Sequence, residues 1–306
     1  MKAKLNAIVF GGGGFVGSHV ADVLSEKGHD VSIYDICKSK YLIPSQRMIV
    51  GDILDDEKVR ESVKGMDVVY NFAGIADIGE AANKPVETVK YNILGNTIVL
   101  DAAKEADVKR FVYASTIYVY SESGSFYRCS KNACELYLET YQKQYGLDYT
   151  VLRYGTLYGS RSNLTNSVYR FIHQSLTEGK ISYPGDGNEV REYINVLDAA
   201  QGSVEILDDE FKNEYVIFTG HHPMRVNELF VMINEILKKD IKIDYIQPEL
   251  DEHYRITPYT FIPKIGKKYV RKCYTDMGQG ILICMQEIYD QIHHHNNEQQ
   301  KLKDES

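Results

Sequence analysis

The chain has 306 residues, 43% apolar, 25% charged and 11% aromatic, with 23 Gly and 7 Pro. That profile belongs to globular proteins and excludes a collagenous, disordered or membrane-spanning chain. Lysine and arginine total 35 against 43 aspartate and glutamate, a net charge of −8. No broad attraction to nucleic acid or to an anionic membrane is expected, so any anionic ligand has to be held locally.

The N-terminus runs from Met1-Lys2-Ala3-Lys4 straight into Ala7-Ile8-Val9-Phe10. This apolar run is too brief for a signal sequence or a membrane span, which predicts a cytoplasmic protein. In chain order, β-branched runs at 6–10, 31–35, 47–50, 67–72, 109–115 and 148–153 predict strands with amphipathic helices between them, including 55–64, 86–106 and 127–145. The alternation predicts an α/β fold: a Rossmann-type, doubly wound parallel sheet covered on both faces. From about residue 160 the rhythm loosens into helices near 165–178, 197–207 and 226–239 with short strands. A smaller C-terminal α/β region over 161–292 is therefore expected, interleaved with the sheet formed by 1–160 and making a cleft at its C-terminal edge. Residues 293–306, opening with His293-His294-His295, are polar and aperiodic and read as a frayed or appended tail. The five cysteines (Cys37, Cys129, Cys134, Cys273, Cys284) are scattered and lack ligand spacing, so reduced thiols and no metal are expected.

Gly11-Gly12-Gly13-Gly14-Phe15-Val16-Gly17 follows the first strand directly and leads into a helix. Gly11, Gly14 and Gly17, three apart, permit a tight turn, close backbone approach to a pyrophosphate and close helix–strand packing. The helix N-terminus supplies free N–H groups to the phosphates. The next strand ends in Asp35, 18 positions after Gly17, where a carboxylate accepts hydrogen bonds from ribose hydroxyls and repels a 2′-phosphate. NAD is thus favoured over NADP; the competing reading makes Asp35 a strand cap. Asp52 and Ile53 offer a polar edge and an apolar face to an adenine, or Asp52 caps the helix of 55–64.

Tyr127 and Lys131 open an amphipathic helix four residues apart and share one face. An ammonium beside a phenol favours the phenolate, lowering a pKa near ~10 toward the range of a general base. Thr116, at the C-terminal end of the strand Arg110–Ser115, is placed to share a substrate proton with Tyr127.

These blocks resemble the extended short-chain dehydrogenase/reductase family, specifically its NAD-dependent sugar-nucleotide epimerases and dehydratases, over roughly residues 5–240. Phe10–Gly17 stands for Thr-Gly-x-x-Gly-x-x-Gly, with Phe10 replacing the threonine. Asn71-Phe72-Ala73-Gly74 is similar to His-x-Ala-Ala/Gly, and Tyr91–Thr97 contains the Asn-x-x-Gly of Asn92. Ser115–Tyr120 resembles Ser-Ser/Thr-x-x-Val-Tyr, which makes Thr116, and not Ser115, the catalytic hydroxyl. Leu152–Gly159 resembles Arg-Tyr-x-Asn-x-Tyr-Gly, and Gly185–Asp198 resembles Gly-Asp-Gly…Arg-x-Phe-x-x-Val-x-Asp.

The resemblance implies a nucleotide-diphosphate sugar as substrate, with Thr116, Tyr127 and Lys131 catalytic. It implies cofactor contacts from the glycine segment (Gly11, Gly14, Phe15, Val16, Gly17), from Asp35, Asp52 and Ile53, and from Phe72, Ala73, Gly74 and Asn92. Ser115, Tyr127, Lys131, Tyr154 and Thr156 complete the cofactor set. Arg191 is implied as the fork that pairs with the substrate diphosphate, against a competing reading as a surface arginine. Arg255, in Glu252-His253-Tyr254-Arg255, is a further substrate candidate or else surface charge; His253 has no assigned role. The helices 86–106 and 127–145 are implied to pair in a homodimer.

Departures from the family narrow the reaction. Members that eliminate water carry Thr-Asp-Glu or similar at 116–118, whereas Ile117 and Tyr118 stand here; decarboxylases carry a glutamate where Tyr118 is. Dehydration and decarboxylation are therefore disfavoured, and epimerisation at C4 through a transient ketone is expected. A net dehydrogenase or keto-reductase, and an NAD-sensing binding protein, are the alternatives. Only six residues separate Tyr120 from Tyr127, a trimmed loop over the sugar.

Overall fold

The run Ala7-Ile8-Val9-Phe10 is fully buried because its strand, β1 (Asn6–Phe10), lies inside the sheet with helices on both faces. Ala7 and Val9 point into one core and Ile8 and Phe10 into the other, the period-two alternation of a doubly covered strand. The computed structural model describes residues 4–247, 253–256 and 266–304, the last ten by backbone alone.

The first half runs α1 (Phe15–Glu26), β2 (Asp30–Asp35), β3 (Gln46–Val50), α2 (Asp56–Val63), β4 (Val68–Asn71), α3 (Ile78–Asn83) and α4 (Pro85–Thr88). A π-helical stretch (Val89–Leu94), α5 (Gly95–Glu105), β5 (Arg110–Thr116), a 3₁₀ turn (Ile117–Tyr120), α6 (Ser125–Tyr145) and β6 (Tyr149–Tyr154) follow. The second half holds β7 (Thr156–Tyr158), α7 (Ser167–Thr177), β8 (Lys180–Pro184), β9 (Val190–Asn195), α8 (Val196–Glu205) and β10 (Glu214–Phe218). It ends with β11 (Pro223–Arg225), α9 (Val226–Leu237), β12 (Lys242–Ile246), β13 (Lys267–Lys268) and α10 (Met277–Asp304).

The main sheet has eight strands in the order β13-β10-β6-β5-β4-β1-β2-β3, every pair parallel. This is the expected doubly wound arrangement, and the order reverses between β1 and β4, where such sheets open a crevice at the strand C-termini. Helices α1 and α8 cover one face through Val20, Leu24, Ala199 and Val204; α2, α5 and α6 cover the other through Val59, Leu100, Cys134 and Leu138. Beyond β6, Phe171, Phe230, Ile233 and Met285 build a separate small core.

Two expectations change. The helix over 86–106 is interrupted by the π-helical stretch, which hydrophobic periodicity does not register. The tail from His293 continues α10 as far as Asp304 instead of fraying. Buried Ile281, Cys284, Met285 and Ile288 anchor the first turns of that helix. Once a helix is nucleated, Glu, Gln and Lys extend it at little cost.

Candidate active site

A cleft of about 880 Å³ opens along the C-terminal ends of β1, β2, β4, β5 and β6, lined by the glycine turn, Asp35, Phe72, Thr116, Tyr127, Lys131 and Tyr154. Gly11 has φ +72°, and a Cβ there would stand 2.7 Å from the Ala73 nitrogen; a Cβ at Gly17 would stand 2.3 Å from the Gly11 carbonyl oxygen. The turn is therefore closed by backbone against backbone. It delivers the first turn of α1 to the cleft without a side-chain cap and without an acidic residue, leaving N–H groups for an anion. Asp35 Oδ2 accepts from Gly13 N at 2.9 Å, which holds the carboxylate at the end of β2. Asp52 and Ile53 line the same end of the cleft. Asp52 Oδ1 accepts from Leu54 N, while Asp55 is the residue that caps α2. Free N–H donors at a glycine turn and an uncapped helix start, with a fixed carboxylate as acceptor, match the phosphates and ribose hydroxyls of a dinucleotide, so NAD fits these residues.

At the other end Gly124 (φ +99°) starts α6, and Tyr127 and Lys131 follow on its first turns. Thr116 ends β5 and accepts from Tyr118 N at 3.3 Å, which starts the 3₁₀ turn. Lys131 Nζ donates to Ala114 O at 2.7 Å and lies over the rings of Tyr113 and Tyr127. Burial lowers Lys131 to about 8. The expected lowering of Tyr127 does not occur in the protein alone: burial pushes its phenol up to about 12, and the hydrogen bond with Thr116 opposes this only partly. Desolvation outweighs the ammonium because Lys131 Nζ is spent on a carbonyl and meets the Tyr127 ring 5.6 Å from its centre.

Beneath this pair lies a fully buried ion pair. Glu135, one turn beyond Lys131, receives Arg153 Nη2 at 2.8 Å and Nε at 3.0 Å, with both side chains at 0% exposure. Ser115 Oγ donates to the same carboxylate at 2.6 Å, so Ser115 is turned to the helix anchor and Thr116 to Tyr127.

The structure does not bring every expected residue to the cleft. Asn92 lies behind its wall, where its amide clamps Ile75 N and O at 2.7 and 3.0 Å and reaches Ser130 Oγ. Tyr154 lines the cleft with its ring, and its hydroxyl bonds Ser203. Thr156 is in the lining; Arg191 and Arg255 are not. Arg191 is stacked on Tyr254 at 4.4 Å and donates to Val190 O, and the exposed Arg255 pairs with Asp186 at 2.9 Å. In the protein alone Arg191 thus rests on Tyr254, itself part of the lining, and Arg255 on the carboxylate of Asp186. Among the described residues the arginine that does line the cleft is Arg170, on α7, donating to Leu164 O at 3.2 Å, with Asp77 also in the lining. The sequence places a helix near 165–178 but gives no sign that its N-terminal end, with the residues from Asn163 to Arg170, lines the cleft; Asn166 caps α7. His253 and Tyr254 also line the cleft, against Tyr118.

The fold and this site define a nucleotide-cofactor-dependent enzyme of the short-chain dehydrogenase type. The profile of the NAD dependent epimerase/dehydratase family matches residues 7–217, and the chain belongs to that family. A Methanocaldococcus jannaschii protein, whose name provisionally makes it a UDP-glucose 4-epimerase, is 30% identical over 81% of this chain and 88% of its own. A UDP-N-acetyl-alpha-D-glucosaminuronate decarboxylase of Bacillus cytotoxicus is 28% identical over 79% and 84%. The solved UDP-glucose 4-epimerase of Thermotoga maritima with UDP-glucose superposes with a TM-score of 0.83 at 25% identity, covering 94% of this chain and 100% of that one. Similarity thus supports an NAD-dependent sugar-nucleotide epimerase/dehydratase. Among the described residues no helix is long and apolar enough to cross a membrane, and no cluster could hold a metal.

Proposed function

We propose that the protein inverts C4 of a UDP-sugar by removing and returning hydrogen at that carbon. The observation that carries this reading is the convergence of Thr116, Tyr127 and Lys131 in the same cleft as the glycine cradle and Asp35. NAD, when bound, supplies a hydride acceptor and donor and a positive charge. The backbone N–H groups of Phe15 to Gly17 would hold its pyrophosphate, and Asp35 would take the adenosine ribose hydroxyls. Asp52, Ile53, Phe72, Ala73, Gly74, Ser115, Tyr154 and Thr156 line the rest of that path.

Tyr127 moves the proton of the C4 hydroxyl, Thr116 hydrogen-bonds the same oxygen, and Lys131 keeps a positive charge beside both. A phenol at about 12 rests protonated at neutral pH, which prepares it to donate when the ketone is reduced. Arg170 meets the substrate diphosphate, since among the described residues Lys131 and Arg170 are the lysine and arginine in the cleft lining. Exposed Leu136 and Tyr137 on α6 provide the face for a second copy.

The test is purified protein with UDP-glucose and UDP-galactose, followed by proton NMR without added cofactor. Interconversion that disappears in Tyr127→Phe while NAD stays bound supports the reading. A stoichiometric demand for reduced cofactor would instead identify a net reductase, and undiminished turnover in Tyr127→Phe would exclude this phenol as the base.

A further inference from the structure

Tyr118 and His253 make a phenol–imidazole pair on which inversion at C4 does not draw. The Tyr118 hydroxyl lies 2.7 Å from His253 Nδ1. Tyr118 stands two residues past Thr116 in the 3₁₀ turn, and its ring meets that of Tyr127 edge-on, 6.5 Å between centres. Both members of the pair line the cleft with Tyr127 and Thr116. Fastening residues 253–256 is not a sufficient reason for the pair. Val190 N already donates to Arg255 O at 2.7 Å, Arg255 holds Asp186, and Arg191 stacks on Tyr254.

We propose that Tyr118 and His253 form a second acid–base centre that removes a proton from the carbon next to the transient C4 ketone. The inference rests on the C4 reading, because only the ketone makes the C–H bonds at C3 and C5 acidic. When one of those bonds breaks, its electron pair forms the C=C bond of an enolate, and the charge on O4 is stabilised by the Tyr127 and Thr116 hydroxyls. The proton passes to the Tyr118 oxygen as the Tyr118 proton passes to Nδ1 of a His253 protonated on Nε2, leaving an imidazolium. Burial raises the Tyr118 phenol well above its ordinary value, so the positive charge rests on the imidazole and no free phenolate has to persist. In reverse, the pair returns a proton that has mixed with solvent, and nothing is oxidised or reduced in the step. Tyr118 touches the reacting carbon; His253 acts through it. Such an enolate is the common first stage of inversion at C3 or C5 and of loss of a C6 substituent, chemistry that the side chains at 117 and 118, taken singly, do not offer.

The experiment is incubation of the holoprotein with UDP-glucose in D₂O, with proton NMR reading C4 inversion and deuterium at C3 and C5 together. Deuterium at one of them is expected. In His253→Gln, which keeps a hydrogen-bonding amide beside Tyr118 but takes up no proton, label per C4 inversion should fall at least ~100-fold, the lower end of the range for a lost acid–base group. Tyr118→Phe should show the same loss. Two results overturn the proposal while leaving the C4 reading intact: inverted sugar with only protium at C3 and C5, or unchanged label per inversion in His253→Gln. If wild-type protein yields no inverted sugar and no ketone, the C4 reading itself fails and this inference with it.

Discussion

The ammonium of Lys131 donates to the carbonyl oxygen of Ala114 at 2.7 Å, fastening the start of α6 to β5 by a charge taken out of water. Burial holds that amine at about 8, below its ordinary 10.5. Below pH 8 folded and unfolded chains both carry the proton, and the folded state bears the desolvation. Between about 8 and 10.5 the unfolded chain binds more protons, so stability rises with pH through that window. Relative to Lys131→Met, wild-type stability should climb by up to about 3 kcal/mol between pH 7 and 10.5. Urea unfolding of both proteins at the two pH values measures this, and a flat difference would contradict a desolvated ammonium.

Arg170 should act on binding and not on chemistry. Losing a charge-assisted hydrogen bond of roughly 1.5–3 kcal/mol corresponds to a rise of about 10- to 100-fold in Kd for UDP. Calorimetry of UDP binding to Arg170→Gln and Arg191→Gln separates the cleft-lining arginine from the one stacked on Tyr254. A greater loss in Arg191→Gln would return the diphosphate to that residue.

Gly17→Ala should weaken NAD binding, with the side chains of Asp35 and Tyr127 untouched. Its Cβ would stand 2.3 Å from the Gly11 carbonyl oxygen, so either the turn or α1 has to move, and the N–H groups move with it. Fluorescence titration with NAD gives the affinity. An unchanged value would mean that the cradle tolerates displacement.

Removing one partner of the Glu135–Arg153 pair leaves the other charge uncompensated, at a cost of about 3–5 kcal/mol. Arg153→Met should therefore lower stability far more than the double change Arg153→Met with Glu135→Leu. Urea midpoints of the two variants, at constant m-value, decide the matter.

The six strands of the first half lie within one residue of the runs read from the sequence; β1 and β4, buried on both faces, write an unbroken apolar word. Helices 165–178, 197–207 and 226–239 fall within two residues for a similar reason, each having one apolar stripe. What stayed illegible depends on partners distant in sequence. Arg191 follows Tyr254, Asn92 follows Ile75, and His253 follows Tyr118, 135 residues away. The pKa of Tyr127 belongs to the same group, since spacing shows that an ammonium is near but not how much water the pair has lost.

The Glu135–Arg153 pair also bears on behaviour at high temperature. Hydration of charged groups becomes less favourable on heating, so the penalty for keeping these two dry shrinks while apolar cohesion levels off. Warming should loosen the rim of the sheet before it disturbs the clamp under α6, and the register of Tyr127 with Thr116 should persist to temperatures at which the outer strands have begun to open.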